Sequence, residues 1–236
     1  MIDGFGFQYL LPLGKGTLWT IALCATSGIL GSVLGLILGL AETSPSRVAR
    51  WLSSIYVNLI RGVPVLIIIF FIYFGVPLLF PGIDIPGFLT GVIALTGFVG
   101  AYMAEILRGS IEAVPKGQNE AADALGMGYF LKYRSVIMPQ AMKIAVPPAI
   151  NFLIALVKDS SLITVIGFIE LTKAGSVVSN LTSDPIATYL AVAVIYFVIC
   201  YGISRLGRAY ETRTGIRSDA LRVQKPLRLA GIGKSK

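Results

Sequence analysis

Histidine is absent from this chain of 236 residues, cysteine occurs twice, and charged residues make up only 14%. Each scarcity removes a class of function. With no histidine, and with Cys24 and Cys200 both inside apolar runs, a disulfide framework and a Cys/His metal site are excluded, and both cysteines read as packing residues. A phosphate-binding loop is missing too. The Gly233-Lys234-Ser235 triplet has Arg228 where such a loop needs glycine, and no strand precedes it. The chain is therefore expected to have no catalytic centre, no metal and no cofactor of its own, and to hydrolyse no ATP by itself. It opens Met1-Ile2-Asp3 without a basic stretch, before an apolar run too long for a cleaved signal, so that run is read as a retained anchor.

Hydrophobic residues make up 55% of the chain and its mean hydropathy is +0.79, more apolar surface than one soluble core of this length can hide. The expected fold class is an all-α polytopic membrane protein. Gly16 to Ala41 holds no charge and is long enough to cross a hydrocarbon layer of about 30 Å. Within it Gly31, Gly35 and Gly39 form a small-residue stripe that admits a second helix closely. A second span runs from Trp51 to about Phe80, kinked at Gly62 and Pro64. A third runs from Phe88 to Leu107. Ile144 to Val157 is short and carries Pro147-Pro148, so a broken or kinked span is expected there. Leu162 to Ser183 is weakly amphipathic and reads as helix lying partly in the outer face. Pro185 to Ser204 is the last span.

Between the third and fourth spans lies a segment that does not belong in lipid, about 110–143. It reads as a short exposed knob of two helical pieces, one ending at Gly126 and one from about Tyr129 to Ser135, with Ala121, Ala122 and Leu125 as a small apolar face. Basic residues then set the topology. Arg47 and Arg50 follow the first span, five Lys/Arg lie from Arg108 to Lys143, and nine lie from Arg205 onward, all on one side if the spans number five. The N-terminus is expected outside, and the knob and the basic tail 214–236 inside. The net charge of +8 is then topological rather than a nucleic-acid footprint.

Glu120-Ala121-Ala122, three residues, Gly126, nine residues and Val136-Ile137-Met138-Pro139 together resemble the EAA motif of membrane subunits of ATP-binding-cassette importers. The family prefers Ile where Val136 stands and Leu where Met138 stands. Tyr102 to Gly109, Val114 to Gln118, Val157 to Leu162, Arg61 to Pro64 and Phe70 to Gly75 resemble the polar amino-acid permeases in particular, and the likeness runs from about Leu10 to Arg213.

The resemblance implies a type I importer fold of five membrane helices over residues 1–213, in the bacterial inner membrane. It implies a second permease chain, identical or homologous, and a cytoplasmic pair of ATP-binding subunits that hold ATP and Mg. A periplasmic or lipid-tethered amino-acid-binding protein completes the set of partners, besides membrane lipid. Glu120, Ala121, Ala122, Gly126 and Pro139 would form the coupling segment. Ionisable groups at membrane depth make Arg61, Glu105, Lys158 and Asp159, with Asn58 and Asn151, candidates for the substrate pathway. Arg61 with Glu105, or Lys158 with Asp159, would equally satisfy each other as ion pairs. An ion-driven transporter would carry two repeated halves, which are not seen, and a scaffold would need no charge at depth.

Overall fold

In the computed structural model, which describes residues 6–214, every regular element is helical. Helix α1 (Leu10–Glu42) runs the whole charge-free stretch, about 50 Å at 1.5 Å per residue. α2 (Arg47–Gly62) starts where the Ser46 hydroxyl accepts the Ala49 N–H at 3.4 Å. It stops at Val63, which Pro64 forces into an extended conformation. α3 (Val65–Leu79) then departs at 102°. The second span is thus a broken pair, bent where Gly62 and Pro64 stand. Ser53 and Tyr56 tie α2 to the bundle, donating to the Leu38 and Gly97 carbonyls at 2.8 and 3.1 Å.

α4 (Gly87–Glu112) is the core helix, burying Leu95, Phe98, Val99, Met103 and Leu107. α1 lies along it through the glycine stripe. A Cβ on Gly31 would sit 2.6 Å from Val99 Cγ1, on Gly35 2.9 Å from the Gly100 oxygen, and on Gly39 3.0 Å from the Ala104 oxygen. The helices meet at a distance only glycine allows, and dispersion along the seam takes the place of a hydrophobic drive that lipid does not supply.

After Pro115, α5 (Lys116–Ala124) forms the outer arm of the polar loop. A helical turn Tyr129–Lys132 and a π-turn Tyr133–Ile137 lead without interruption into α6 (Met138–Asp159). A 3-10 segment Ser160–Ile166 and left-handed Gly167 (φ 82°) turn the chain into α7 (Leu171–Thr182), and α8 (Pro185–Thr214) closes the bundle behind an Asp184 cap on the Ala187 N–H at 3.1 Å. α1, α4, the run through α6 and α8 are each long and apolar enough to cross a membrane, and the α2–α3 pair makes a fifth. The all-α, five-span architecture is as expected.

Several local expectations are corrected. The fourth span is not broken: α6 runs through Pro147 and Pro148, because each proline deletes only its own N–H bond and the ladder on either side holds. The knob has two helical pieces as expected, with the added feature that the second, from Tyr129, is the base of α6 and Pro139 lies in the first turn of that helix. Its first arm begins at Lys116. Residues 162–183 form a 3-10 stretch and then α7, which packs against α1 and α8 through buried Leu171, Ala174 and Val178. Met1 to Asp3, the tail beyond 214 and Gly233-Lys234-Ser235 lie outside the described residues.

Candidate functional sites: the polar loop, a charged cluster and a cavity

The polar loop is cross-linked by its own hydrogen bonds and one ion pair. At the end of α5 the Met127 N–H reaches the Ala122 carbonyl at 3.1 Å and the Gly126 N–H the Asp123 carbonyl at 2.9 Å, a Schellman closure that needs Gly126 at φ 71°. Lys132 Nζ pairs with Asp123 Oδ1 at 2.8 Å across the hairpin. Gln140 donates to Gln118 at 3.1 Å, and the Tyr129 hydroxyl donates to the Thr43 carbonyl at 3.1 Å, tying the loop to the α1–α2 corner. Beneath it Leu107, Ile111, Val114, Ile137 and Ala141 form a small apolar cluster. The expected face of Ala121, Ala122 and Leu125 splits: Ala122 is buried in the chain's own structure, whereas Ala121 and Leu125 point outward. Glu120, Gly126 and Pro139 are exposed as well, and Leu125 (80% exposed) and Phe130 (74%) present apolar surface beside them.

Arg61 and Glu105 meet. Arg61 Nη1 lies 3.0 Å from Glu105 Oε2, with its guanidinium 5.5 Å above the Tyr102 ring. Arg108 bridges from the same helix, forking onto Glu105 at 2.6 and 3.3 Å and reaching Glu112 at 2.7 Å. The nearly buried Glu42 Oε2 has no hydrogen bond and stands 3.9 Å from Arg108 Nε. Of the pathway candidates, then, Arg61 and Glu105 satisfy each other, and exposed Asn58 lies one turn before Arg61 on α2. The other three are on α6: Asn151 is exposed, while Lys158 and Asp159, at the helix end, carry no ion pair within 4 Å among the described residues. The structure does not gather all six candidates into one site.

Lys158 instead lines a cavity of about 470 Å³ with Ser161, Thr172, Tyr196, Phe197 and Cys200. Behind its wall is a group that sequence reading missed. Glu170, wholly buried, caps α7: Oε1 accepts the Lys173 N–H at 2.8 Å and Oε2 the Thr172 N–H at 2.9 Å. Oε2 also accepts the Tyr196 hydroxyl at 3.0 Å, and Tyr196 lies 2.9 Å from the Thr172 hydroxyl. Thr20 of α1 joins through the Leu171 N–H, which it accepts at 3.1 Å. Burial pushes the Glu170 carboxyl above its ordinary range, and the main-chain N–H groups of Thr172 and Lys173 pull it back. Its partners are 150 and 26 positions away, and glutamate is not a favoured N-cap, so local sequence carried no signal for it.

Residues 31–216 match the family model "Binding-protein-dependent transport system inner membrane component". The chain is 37% identical over 194 residues to a probable amino-acid ABC transporter permease of Bacillus subtilis, covering 82% of this chain and 84% of that one. It is 39% identical over 204 residues to an L-cystine transport system permease of the same organism, covering 85% and 86%. A crystal structure of an amino acid ABC transporter with histidines superposes with a TM-score of 0.83 at 36% identity, over 87% of this chain and 95% of that one. With the five-span helical fold and the exposed loop at Glu120–Gly126, these likenesses assign the chain to the binding-protein-dependent transport system inner membrane components, among the amino-acid ABC transporter permeases.

Proposed function

We propose that the chain is the translocating subunit of an ATP-driven importer for polar amino acids, working by alternating access in the bacterial inner membrane. The N-terminus faces outward and the polar loop and tail face the cytoplasm, as the clustering of Lys and Arg supports. ATP and Mg are held by a pair of separate ATP-binding subunits, a second permease chain completes the pore, and a binding protein delivers the amino acid. The observation that carries this reading is the polar loop: a Schellman-capped helix that leaves Glu120, Leu125 and Phe130 exposed, over an apolar base fixed to α4 and α6. A helix of this kind suits a groove on a partner protein. Glu120, Ala121, Ala122, Gly126 and Pro139 form the coupling segment. Asn58, Arg61, Glu105, Asn151, Lys158 and Asp159 mark the substrate pathway.

Co-expression with the ATP-binding subunit tests it. The wild-type chain is expected to co-purify with that subunit and to support ATP-dependent uptake in liposomes. Leu125→Asp and Phe130→Asp, which add charge at exposed positions without touching the core, are expected to abolish co-purification while the chain still inserts in membranes. Co-purification and uptake at wild-type levels in both variants refute the docking role.

A further inference from the structure

The hydrogen bonds around Glu170 fix the direction of the Tyr196 and Thr172 hydroxyl protons on the cavity wall. Both carboxylate oxygens accept main-chain N–H groups, and Oε2 also takes the proton of Tyr196 at 3.0 Å. Tyr196 has no second proton, so in its 2.9 Å contact with Thr172 the threonine donates. Thr172 Oγ1 is left with free lone pairs. Ser161 spends its own proton on the Lys158 carbonyl at 2.6 Å and keeps lone pairs as well. Thr172 and Ser161 therefore present acceptors to a cavity in which exposed Lys158 is the one cation, with no ion pair, among the described residues.

Neither a free ammonium nor unpaired oxygens face hydrocarbon at no cost, so this cavity opens to water rather than to lipid. A volume near 470 Å³ suits a small polar solute. On the reading that an amino acid crosses this chain, we propose that the cavity is a zwitterion site: the substrate's carboxylate meets Lys158 and its α-ammonium meets the acceptor oxygens of Thr172 and Ser161. Glu170 touches no substrate. It is a positioning residue, which turns the Tyr196 and Thr172 protons away from the cavity and so keeps the wall an acceptor. The ammonium is recognised by neutral oxygens, with no carboxylate in the lining among the described residues.

The test is equilibrium binding of labelled L-glutamine, L-cystine and L-arginine to the purified complex with its ATP-binding subunit. The binding protein is omitted, so only the membrane site counts. Thr172→Val, which keeps the shape and removes the acceptor, is expected to raise Kd about tenfold or more for the amino acid bound, the scale of a lost hydrogen bond to a charged group. Thr172→Ser is expected to restore it. Tyr196→Phe frees the Thr172 proton to turn inward and is expected to weaken binding several-fold. The des-amino analogue of the same amino acid lacks the ammonium and is expected to bind wild type, Thr172→Val and Tyr196→Phe alike, which a general packing defect would not produce. A wild-type melting temperature in the variants shows that the fold is kept. If the wild type, supplied with its binding protein in liposomes, transports none of the three amino acids, the importer reading fails and the zwitterion site with it. If transport proceeds but no saturable binding is found, or Kd is unchanged in Thr172→Val and Tyr196→Phe, the zwitterion site alone is overturned.

Discussion

Replacing Gly35 by alanine tests how α1 is held to α4. The added Cβ would fall 2.9 Å from the Gly100 oxygen and 3.1 Å from the Ala104 nitrogen, and closer still to Met103 Cβ. Carbon contacts settle at about 3.5–4.0 Å. Two of the three obstacles are backbone and the third is a Cβ, so no rotamer change relieves them and α1 must back away by roughly 1 Å. A gap of that size forfeits about a quarter to a half of each contact along the seam, and overpacking costs about 1–3 kcal/mol. The better helix propensity of alanine returns about 1 kcal/mol, leaving a net loss of up to about 2 kcal/mol. Gly28 on the same helix supplies the control. Its added Cβ would meet Leu153 and Leu156 at 3.6 and 3.8 Å, ordinary contact, so Gly28→Ala is expected to melt at or above the wild type. The assay is the melting temperature of the purified protein in detergent, followed by tryptophan fluorescence. Met103→Ala should not rescue Gly35→Ala, because the offending Cβ remains. A Gly35→Ala protein as stable as wild type, or Gly28→Ala equally destabilised, refutes the close-approach argument.

Gly126→Val places a β-branched residue at φ 71°, at a cost of about 1–2 kcal/mol, and should fray the end of α5; the protein is expected to stay in the membrane while uptake per ATP hydrolysed falls, with Gly126→Asn intermediate. Full coupling in the valine variant would contradict the loop's mechanical role. Arg108→Leu strips the shared cation from Glu105, Glu112 and nearly buried Glu42. As the arginine is about a third exposed, the expected loss is about 2 kcal/mol, read as a lower melting temperature. Arg108→Lys should recover only part of it, since an ammonium does not reproduce the fork onto Glu105.

What could be read in advance was whatever a local rule controls. The charge-free run of α1, the bend at Gly62-Pro64 and the glycine that closes α5 each follow from the chemistry of a few adjacent residues. Pro147-Pro148 misled, because proline counts as a breaker in water whereas a membrane helix continues through it. Arg61 and Glu105, 44 positions apart, were both visible as costly charges, yet only the α2–α4 packing decides that they pair. Glu170 was hidden for the opposite reason. A lone glutamate in an apolar stretch reads as facing water, and its burial depends on Thr20 and Tyr196 arriving from distant helices. The division of Ala121, Ala122 and Leu125 between inside and outside was unreadable too, because it is set by the apolar cluster under the loop.

The π-turn at Tyr133–Ile137 ends two residues before Pro139, and the one at Phe71–Gly75 ends two residues before Pro77. A π-turn holds one residue more than the α-helix around it, so it advances everything downstream by about 100°. Ile137, Ala141 and Ala145, now buried, owe their facing to that extra residue. Deleting one residue from the turn would leave a smoother helix whose downstream face is turned by about 100°, carrying Ala141 and Ala145 out of their buried positions. The turn therefore behaves as a phase offset in the chain's periodicity: the register of the fourth span must be counted afresh from Met138, and length changes in this short segment translate into rotation rather than reach.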